Sequence, residues 1–388
     1  MSYLRIRPTD VQVGQALPWD VFDGKGTLLL SRGQTVSTDA QLERLLEIGV
    51  FAESMSLQRT RNEAPRPRTT VGAGRPPSVV AGLEQARKRL DQVVAHLPTL
   101  VAEQTLGDEI RNLAGMVENA SRTEPNVALA MVMLRQEGRY ATRQMVNVAV
   151  VARLVAVSMN LPPDEVRAVV CAALTMNLTK VPLQEALQQQ AEPLTPQQRE
   201  EMERHPREAR DLLLRAGIND PTWLDAVLQH HEHIDGSGYP AHLVDGAIVL
   251  GAQLLALADL FCARVTSRAY RPAVASNVAL RGILLERGKG IDPVVAGHFI
   301  KTLGVYPPGL MVRLANGEIG IVVKQGSKAN CPVVASVIGP RGAPLSLVLR
   351  RDTAVDLYTI RETVDPNEFS AYVRMESIWG DSARAVEA

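Results

Sequence analysis

Three histidines and one carboxylate carry most of the chemistry open to this chain of 388 residues. His230 and His231 are adjacent, and Glu232, His233 and Asp235 follow, leading into Gly236-Ser237-Gly238-Tyr239-Pro240. Imidazole is a ligand for first-row transition metals. Adjacent helical residues point about 100° apart, so both rings reach one ion only near a helix end. Gly236 and Gly238 supply backbone that can turn sharply there. A histidine pair alone says little, but two further candidates fall at fitting places. His205 precedes Pro206, which reads as the first residue of a new helix, so His205 is expected at the cap between two helices. Asp259 lies in the apolar run Leu254-Leu255-Ala256-Leu257-Ala258-Asp259-Leu260-Phe261, with Leu255, Ala256, Cys262 and Ala263 as its helical neighbours. A carboxylate on so apolar a face needs a metal, an arginine or a proton. Three histidines satisfied by hydrogen bonds alone are the plain alternative to a metal site.

Helices must position these groups. Asp220-Pro221 opens one that runs to the histidine pair. Thr195-Pro196-Gln197-Gln198 opens another, with Thr195 as cap and Gln198 completing a capping box. Pro163-Asp164-Glu165 starts a third, with acids in its first turn. The helical pattern spans residues 80–305. Residues 1–58 read as a small mixed α/β module: Asp23-Gly24-Lys25-Gly26 is a turn, Thr27 to Leu30 a short apolar run, and Thr38 the cap of a helix bearing Leu42, Leu45 and Leu46. Residues 59–79 hold five arginines and four prolines with almost no apolar periodicity, so they read as a flexible linker. Over 306–388 the period shifts to two. Met311 to Ala315 enters a hairpin at Asn316-Gly317, Ile319 to Val323 returns, and Cys331 to Ile338 and Leu345 to Leu349 form further strands. The last residues, after about Asp381, are expected to fray.

Composition narrows the function classes. Lys+Arg and Asp+Glu balance at 42 each, so no whole-chain field draws in DNA or a membrane surface. Three widely spaced cysteines, Cys171, Cys262 and Cys331, fit a reducing cytoplasm better than a disulfide framework. The start, Met1-Ser2-Tyr3-Leu4-Arg5, lacks an apolar core of signal-peptide length. The apolar stretch near Val146 to Met159 is interrupted by Arg153 and too short to span a bilayer. A cytoplasmic protein is expected.

The ordered series His205-Pro206, His230 to Pro240, Ala258-Asp259, Thr266-Ser267-Arg268-Ala269-Tyr270-Arg271-Pro272 and Leu303 to Gly309 resembles the HD-GYP family, bacterial metal-dependent phosphodiesterases that open cyclic di-GMP. The resemblance covers roughly residues 130 to 350 and implies a mainly α fold, an HD-type helical bundle between the small N-terminal module and a β-rich C-terminal extension. Family members hold two or three metal ions. By the resemblance, His205, His230 and His231 correspond to the histidine cluster of one ion and Asp259 to a carboxylate ligand of the other. Lys180, Arg268 and Arg271 match positions that hold substrate phosphates, and Tyr239, the tyrosine of the GYP motif, joins them as a candidate contact for the cyclic di-GMP phosphates. In the family the loop Asp235, Gly236, Gly238, Tyr239, Pro240 is implicated in contacts with GGDEF domains, which make the dinucleotide.

The departures matter as much. The His-Asp pair of the family falls on Met176 and Asn177. An amide has no charge with which to bridge two ions, and a thioether suits hard or borderline divalent ions badly. A further helical histidine of the family falls on Gln144, and a glutamate found in trinuclear members falls on Tyr140. Gln144 shares a face with Val148, Val151 and Val155 and is expected to point inward. The resemblance therefore implies a degenerate member: no binuclear centre, and either no metal or a single ion (Fe, Mn, Ni or Zn) on His205, His230 and His231. The expected role in cyclic di-GMP signalling is regulatory, through nucleotide binding or protein interaction, with phosphodiesterase activity lost or strongly impaired. The alternative is an active or weakly active phosphodiesterase on a reduced metal site. A homodimer is compatible with either.

Overall fold

The computed structural model describes residues 3–6, 11, 17, 19–24, 26–34, 36, 50–53, 78–266, 275–286, 290–365 and 374–384. The chain divides into two units, Met1–Arg75 and Pro76–Ala388. The helix expected after Thr38, residues 59–77 of the linker expected over 59–79, and both Arg268 and Arg271 lie outside the described residues, whereas Ser78 and Val79 cap and open a helix.

In the first unit, strands β1 (Tyr3–Arg5), β2 (Val21–Phe22), β3 (Leu28–Leu30) and β4 (Phe51–Glu53) form an antiparallel sheet in the order β1-β4-β2-β3. Its core is small: Ile6, Leu17, Trp19, Val21, Val36, Val50 and Ala52. At the expected turn, the Asp23 amide donates to the Thr27 carbonyl and its carboxylate accepts from the Thr27 amide, which closes the β2–β3 hairpin.

The second unit is mainly helical. Its helices are α1 (Val79–Ala95), α2 (Leu97–Ala102), α3 (Leu106–Thr123), α4 (Pro125–Leu134), α5 (Tyr140–Ser158), α6 (Pro163–Thr175), α7 (Val181–Gln189), α8 (Pro196–Arg215), α9 (Pro221–Gln229), α10 (Leu250–Arg264), α11 (Ser276–Glu286), α12 (Pro293–Leu303) and the short α13 (Met375–Trp379). Fifteen of the nineteen residues of α5 are buried, which places it at the centre, against α1, α3, α6, α7, α10 and α12. An almost wholly apolar, small-residue sequence such as Ala149-Val150-Val151-Ala152 suits a helix enclosed on all sides. The helical run Pro163–Gln189 is long and apolar enough to cross a membrane by length and composition, yet 83% of its most apolar window is buried inside the bundle, which is the place of a core helix.

Helix starts follow local chemistry. Thr195 and Gln198 form the reciprocal capping box at α8, and the Asp220 carboxylate accepts from the amides of Thr222 and Trp223 at α9. One expectation is overturned. Pro206 does not begin a helix; it lies inside the continuous α8, as does His205. Burial explains the override: His205, Pro206, Ala209, Leu212 and Leu213 are all packed inward, and tertiary packing outweighs the local penalty of proline.

The C-terminal strands β5 (Met311–Leu314), β6 (Ile319–Lys328), β7 (Cys331–Ile338), β8 (Pro344–Asp352) and β9 (Ile360–Thr363) make an antiparallel sheet in the order β8-β7-β6-β5-β9. The Asn316-Gly317 turn joins β5 to β6, with Gly317 at φ 89°, where glycine is at ease. Alternation puts Met311, Ile321 and Ala335 into one apolar cluster and Val312, Val322 and Val334 into another. The chain end is more ordered than expected: Ala383 is buried, and the Ser78 hydroxyl donates to the Arg384 carbonyl. Residues 385–388 lie outside the described part.

Candidate functional site

Three helix positions converge on one point. His205 comes from the middle of α8, His230 is the C-cap of α9, and His231 follows it. One ligand atom from each lies within 4.8 Å of the others, and among the described residues no further histidine, cysteine or carboxylate joins this group. His205 and His230 are fully buried and His231 is half-buried.

The hydrogen bonds settle which ring nitrogens face inward. His205 Nδ1 lies 2.5 Å from the Met202 carbonyl, and His230 Nδ1 lies 2.7 Å from the Val227 carbonyl. A carbonyl only accepts, so each Nδ1 carries the proton, and in a neutral ring Nε2 is then a bare lone pair. These two Nε2 atoms face each other at 3.2 Å. The third ring leaves its Nε2 buried without a hydrogen-bond partner. Two opposed lone pairs need a proton or another cation beside them. A proton is disfavoured, because burial, with the nearby Lys180 ammonium, pushes the His230 pKa down to about 4. Burial likewise lowers His205, helped by Lys180 and His230, and His231, helped by His230 and Lys180. Anchoring Nδ1–H on a carbonyl while Nε2 stays free is also how metal-binding histidines are held. The donor set therefore fits one late first-row ion.

At the other half of the expected metal site a hydrogen bond takes up one carboxylate oxygen. Gln144, 2% exposed on α5, donates its amide to Asp259 Oδ1 on α10 at 3.0 Å. The partner that Asp259 needs is thus the residue standing where a histidine was expected. Met176 and Asn177 follow directly on α6 and are fully buried. Both amide atoms of Asn177 lack a hydrogen-bond partner among the described residues. Such a group costs about 1–3 kcal/mol.

A cavity of about 370 Å³ opens beside the cluster, lined by Lys180, His230, His231, Tyr239 and Asp259 among others. Lys180 is buried, with Nζ 3.7 Å from Met202 Sδ. The Tyr239 ring stacks on His231, with centroids 4.6 Å apart and planes at 23°. It therefore faces the histidines, half-buried, while His233, Asp235 and Ser237 form the exposed part of the loop. Burial, with Asp259 and Glu203, raises the Tyr239 hydroxyl above its usual pKa.

The loop is held by groups with separate tasks. A Cβ on Gly238 would press into the backbone of His231, Glu232 and His233, so only glycine lets the chain fold back for Tyr239 N to reach His231 O at 3.0 Å. Gly236 has φ 77°, and Asp235 forms an isolated bridge to Val244. The Tyr239–Pro240 peptide is cis, and Pro240 presents its carbonyl to Arg207 at 2.7 Å. Glu232 was not singled out from sequence. It is buried and accepts from the amides of Ala241 and Leu243 at 2.6 and 2.9 Å, pinning the far side of the loop. Its place directly after two histidines was the available signal.

An HD-domain family model matches residues 124–295. The chain is 27% identical over 315 residues to the cyclic di-GMP phosphodiesterase PA4108 of Pseudomonas aeruginosa, covering 76% of this chain and 75% of that protein. It is 32% identical over 195 residues to the cyclic di-GMP phosphodiesterase response regulator RpfG of Xanthomonas campestris pv. campestris, covering 50% of this chain and 51% of that one. A solved structure, Bd1817, a HDG"Y"P protein from Bdellovibrio bacteriovorus, aligns at 17% identity with a TM-score of 0.48 over 78% of this chain and 99% of that chain.

Proposed function

The chain belongs to the HD/HD-GYP-like phosphodiesterase family, and from that premise we propose that it is a degenerate, regulatory member of cyclic di-GMP signalling that has lost most or all phosphodiesterase turnover. The Gln144–Asp259 hydrogen bond carries this reading. An amide stands where a second ion would need an imidazole and takes up one oxygen of the Asp259 carboxylate, and Asn177 offers no charge to bridge two ions. Removal of even an outer hydrogen-bond partner costs a metal site about 10- to 100-fold in affinity or activity, and here several direct ligands differ.

What remains suits binding. The Lys180 ammonium at the cavity wall takes up phosphate charge, and Arg268 and Arg271, outside the described residues, are proposed to do the same. Tyr239 closes one side of the cavity with an aromatic face. The exposed turn around Asp235 and Ser237 is left to contact a partner, for which a GGDEF domain is the candidate.

The facing Nε2 atoms of His205 and His230 favour a second reading, a weak enzyme on one ion. Such an ion, held by His205, His230 and His231, would lower the pKa of a bound water at the cavity wall. Three measurements separate the readings. Calorimetry with cyclic di-GMP tests binding. Chromatography of the nucleotide after incubation with manganese, iron, nickel or zinc tests turnover. Metal analysis of protein purified without chelators or a metal-binding tag counts ions. Binding with at most one ion and little linear product is expected. Two ions per chain, or fast linearisation, would sink the proposal.

A further inference from the structure

We propose that Pro206 is a positioning residue for the histidine cluster: by withholding a backbone N–H from the Met202 carbonyl, it leaves that acceptor to the His205 imidazole and so sets which ring nitrogen faces His230. The inference rests on the reading of the cluster as a cation site only for its consequence, not for its geometry. In an α-helix the N–H of residue 206 would bond the carbonyl of residue 202. Proline has no N–H, and His205 Nδ1 lies on that same carbonyl at 2.5 Å. The Nδ1 proton then leaves Nε2 bare toward His230 Nε2, 3.2 Å away.

His230 reaches the same state by another route. It is the C-cap of α9 and bonds Val227, whose carbonyl lies in the last turn, where helical acceptors run out of donors. His205 is ten residues into the twenty-residue α8, where every carbonyl ordinarily has a donor four residues on. A helix end supplies the spare acceptor for one ring; within a helix interior, proline supplies it for the other. Proline inside a helix is locally unfavourable, and the buried face of α8 holds the helix together around it.

The test is Pro206→Ala in the full-length chain. Long-range proton–nitrogen NMR of histidine-labelled, chelator-treated wild type at pH 7.5 is expected to show His205 protonated at Nδ1 with Nε2 free. In the variant the backbone N–H restored at position 206 competes for Met202, and the His205 nitrogens should move toward a mixture of tautomers. Zinc affinity, measured by competition with a chelating dye, should fall about 10- to 100-fold. The melting temperature in chelator should hold or rise, since alanine is the better helix former, which separates mispositioning from unfolding. Wild-type His205 protonated at Nε2 would overturn the proposal without recourse to any variant. So would a variant that keeps both the Nδ1–H tautomer and wild-type zinc affinity. If wild type takes up no zinc, the cation-site reading fails and the tautomer comparison alone decides the role of Pro206.

Discussion

Mild acid should destabilise the helical unit through its own buried imidazoles. His230 is 1% exposed, and burial together with Lys180 holds its pKa at about 4, against 6.5 for a free ring. The Val227 carbonyl and Asp259 pull the other way but lose. Between those two values an unfolded chain takes up a proton that the folded chain refuses. Stability from this ring is therefore complete above about pH 7 and drains away as pH falls through 6.5 toward 4. The slope is about 1.4 kcal/mol per pH unit per proton, so His230 alone accounts for roughly 3 kcal/mol over the window. That is large beside the usual net stability of about 5–15 kcal/mol. His205 and His231 shift in the same direction, though three interacting rings do not titrate independently. Urea melts of chelator-treated protein at pH 7.5, 6.5 and 5.5, followed by far-ultraviolet circular dichroism of the helices, measure the effect above the range of ordinary carboxylates. His230→Gln, neutral throughout, should flatten the profile. A midpoint that stays level or rises from pH 7.5 to 5.5, or an equal slope in the variant, would refute the reasoning.

Other perturbations have definite signs. Gln144→Leu strips the amide from Asp259 and should cost about 1.5–3 kcal/mol in a urea melt; no loss would mean that Asp259 is well served by water. Gly238→Ala forces a methyl against the backbone of His231, Glu232 and His233, so its thermal melt should drop by several degrees and the Tyr239 ring resonances should shift from their stacked positions. In the C-terminal sheet, Arg351 holds the buried Glu318 through two hydrogen bonds of 2.9 and 2.8 Å, and Ser336 adds a third of 2.7 Å. Arg351→Met should cost about 3–5 kcal/mol by stranding that carboxylate, while Arg351→Met with Glu318→Leu should recover much of it.

Local signals were readable wherever they act over a few residues. The capping box at Thr195, the Asp220 cap and the Asn316-Gly317 hairpin each satisfy backbone groups within one turn, so short-range chemistry decides them. The meeting of His205 with the His230 pair followed from likeness to a family, since 25 residues and a loop separate them. Two features escaped. Proline ordinarily marks a boundary, and only the buried face of α8 carries the helix through Pro206. Gln144 and Asp259 lie 115 positions apart on different helices. Sequence placed both on inward faces and left the partner of Asp259 open among a metal, an arginine and a proton; side-chain packing between α5 and α10 supplied a fourth answer. The inward turn of the Tyr239 ring follows from Gly238, which lets the chain double back over His231.

The bond between the Ser78 hydroxyl and the Arg384 carbonyl makes the larger unit nearly circular as a polypeptide. Its first helix and its final turn share a doorstep, so the order in which the segments are strung is not what holds the histidines in place. Splicing those ends and cutting instead at the exposed turn 329–330 between β6 and β7 would yield a permuted chain with the same interior.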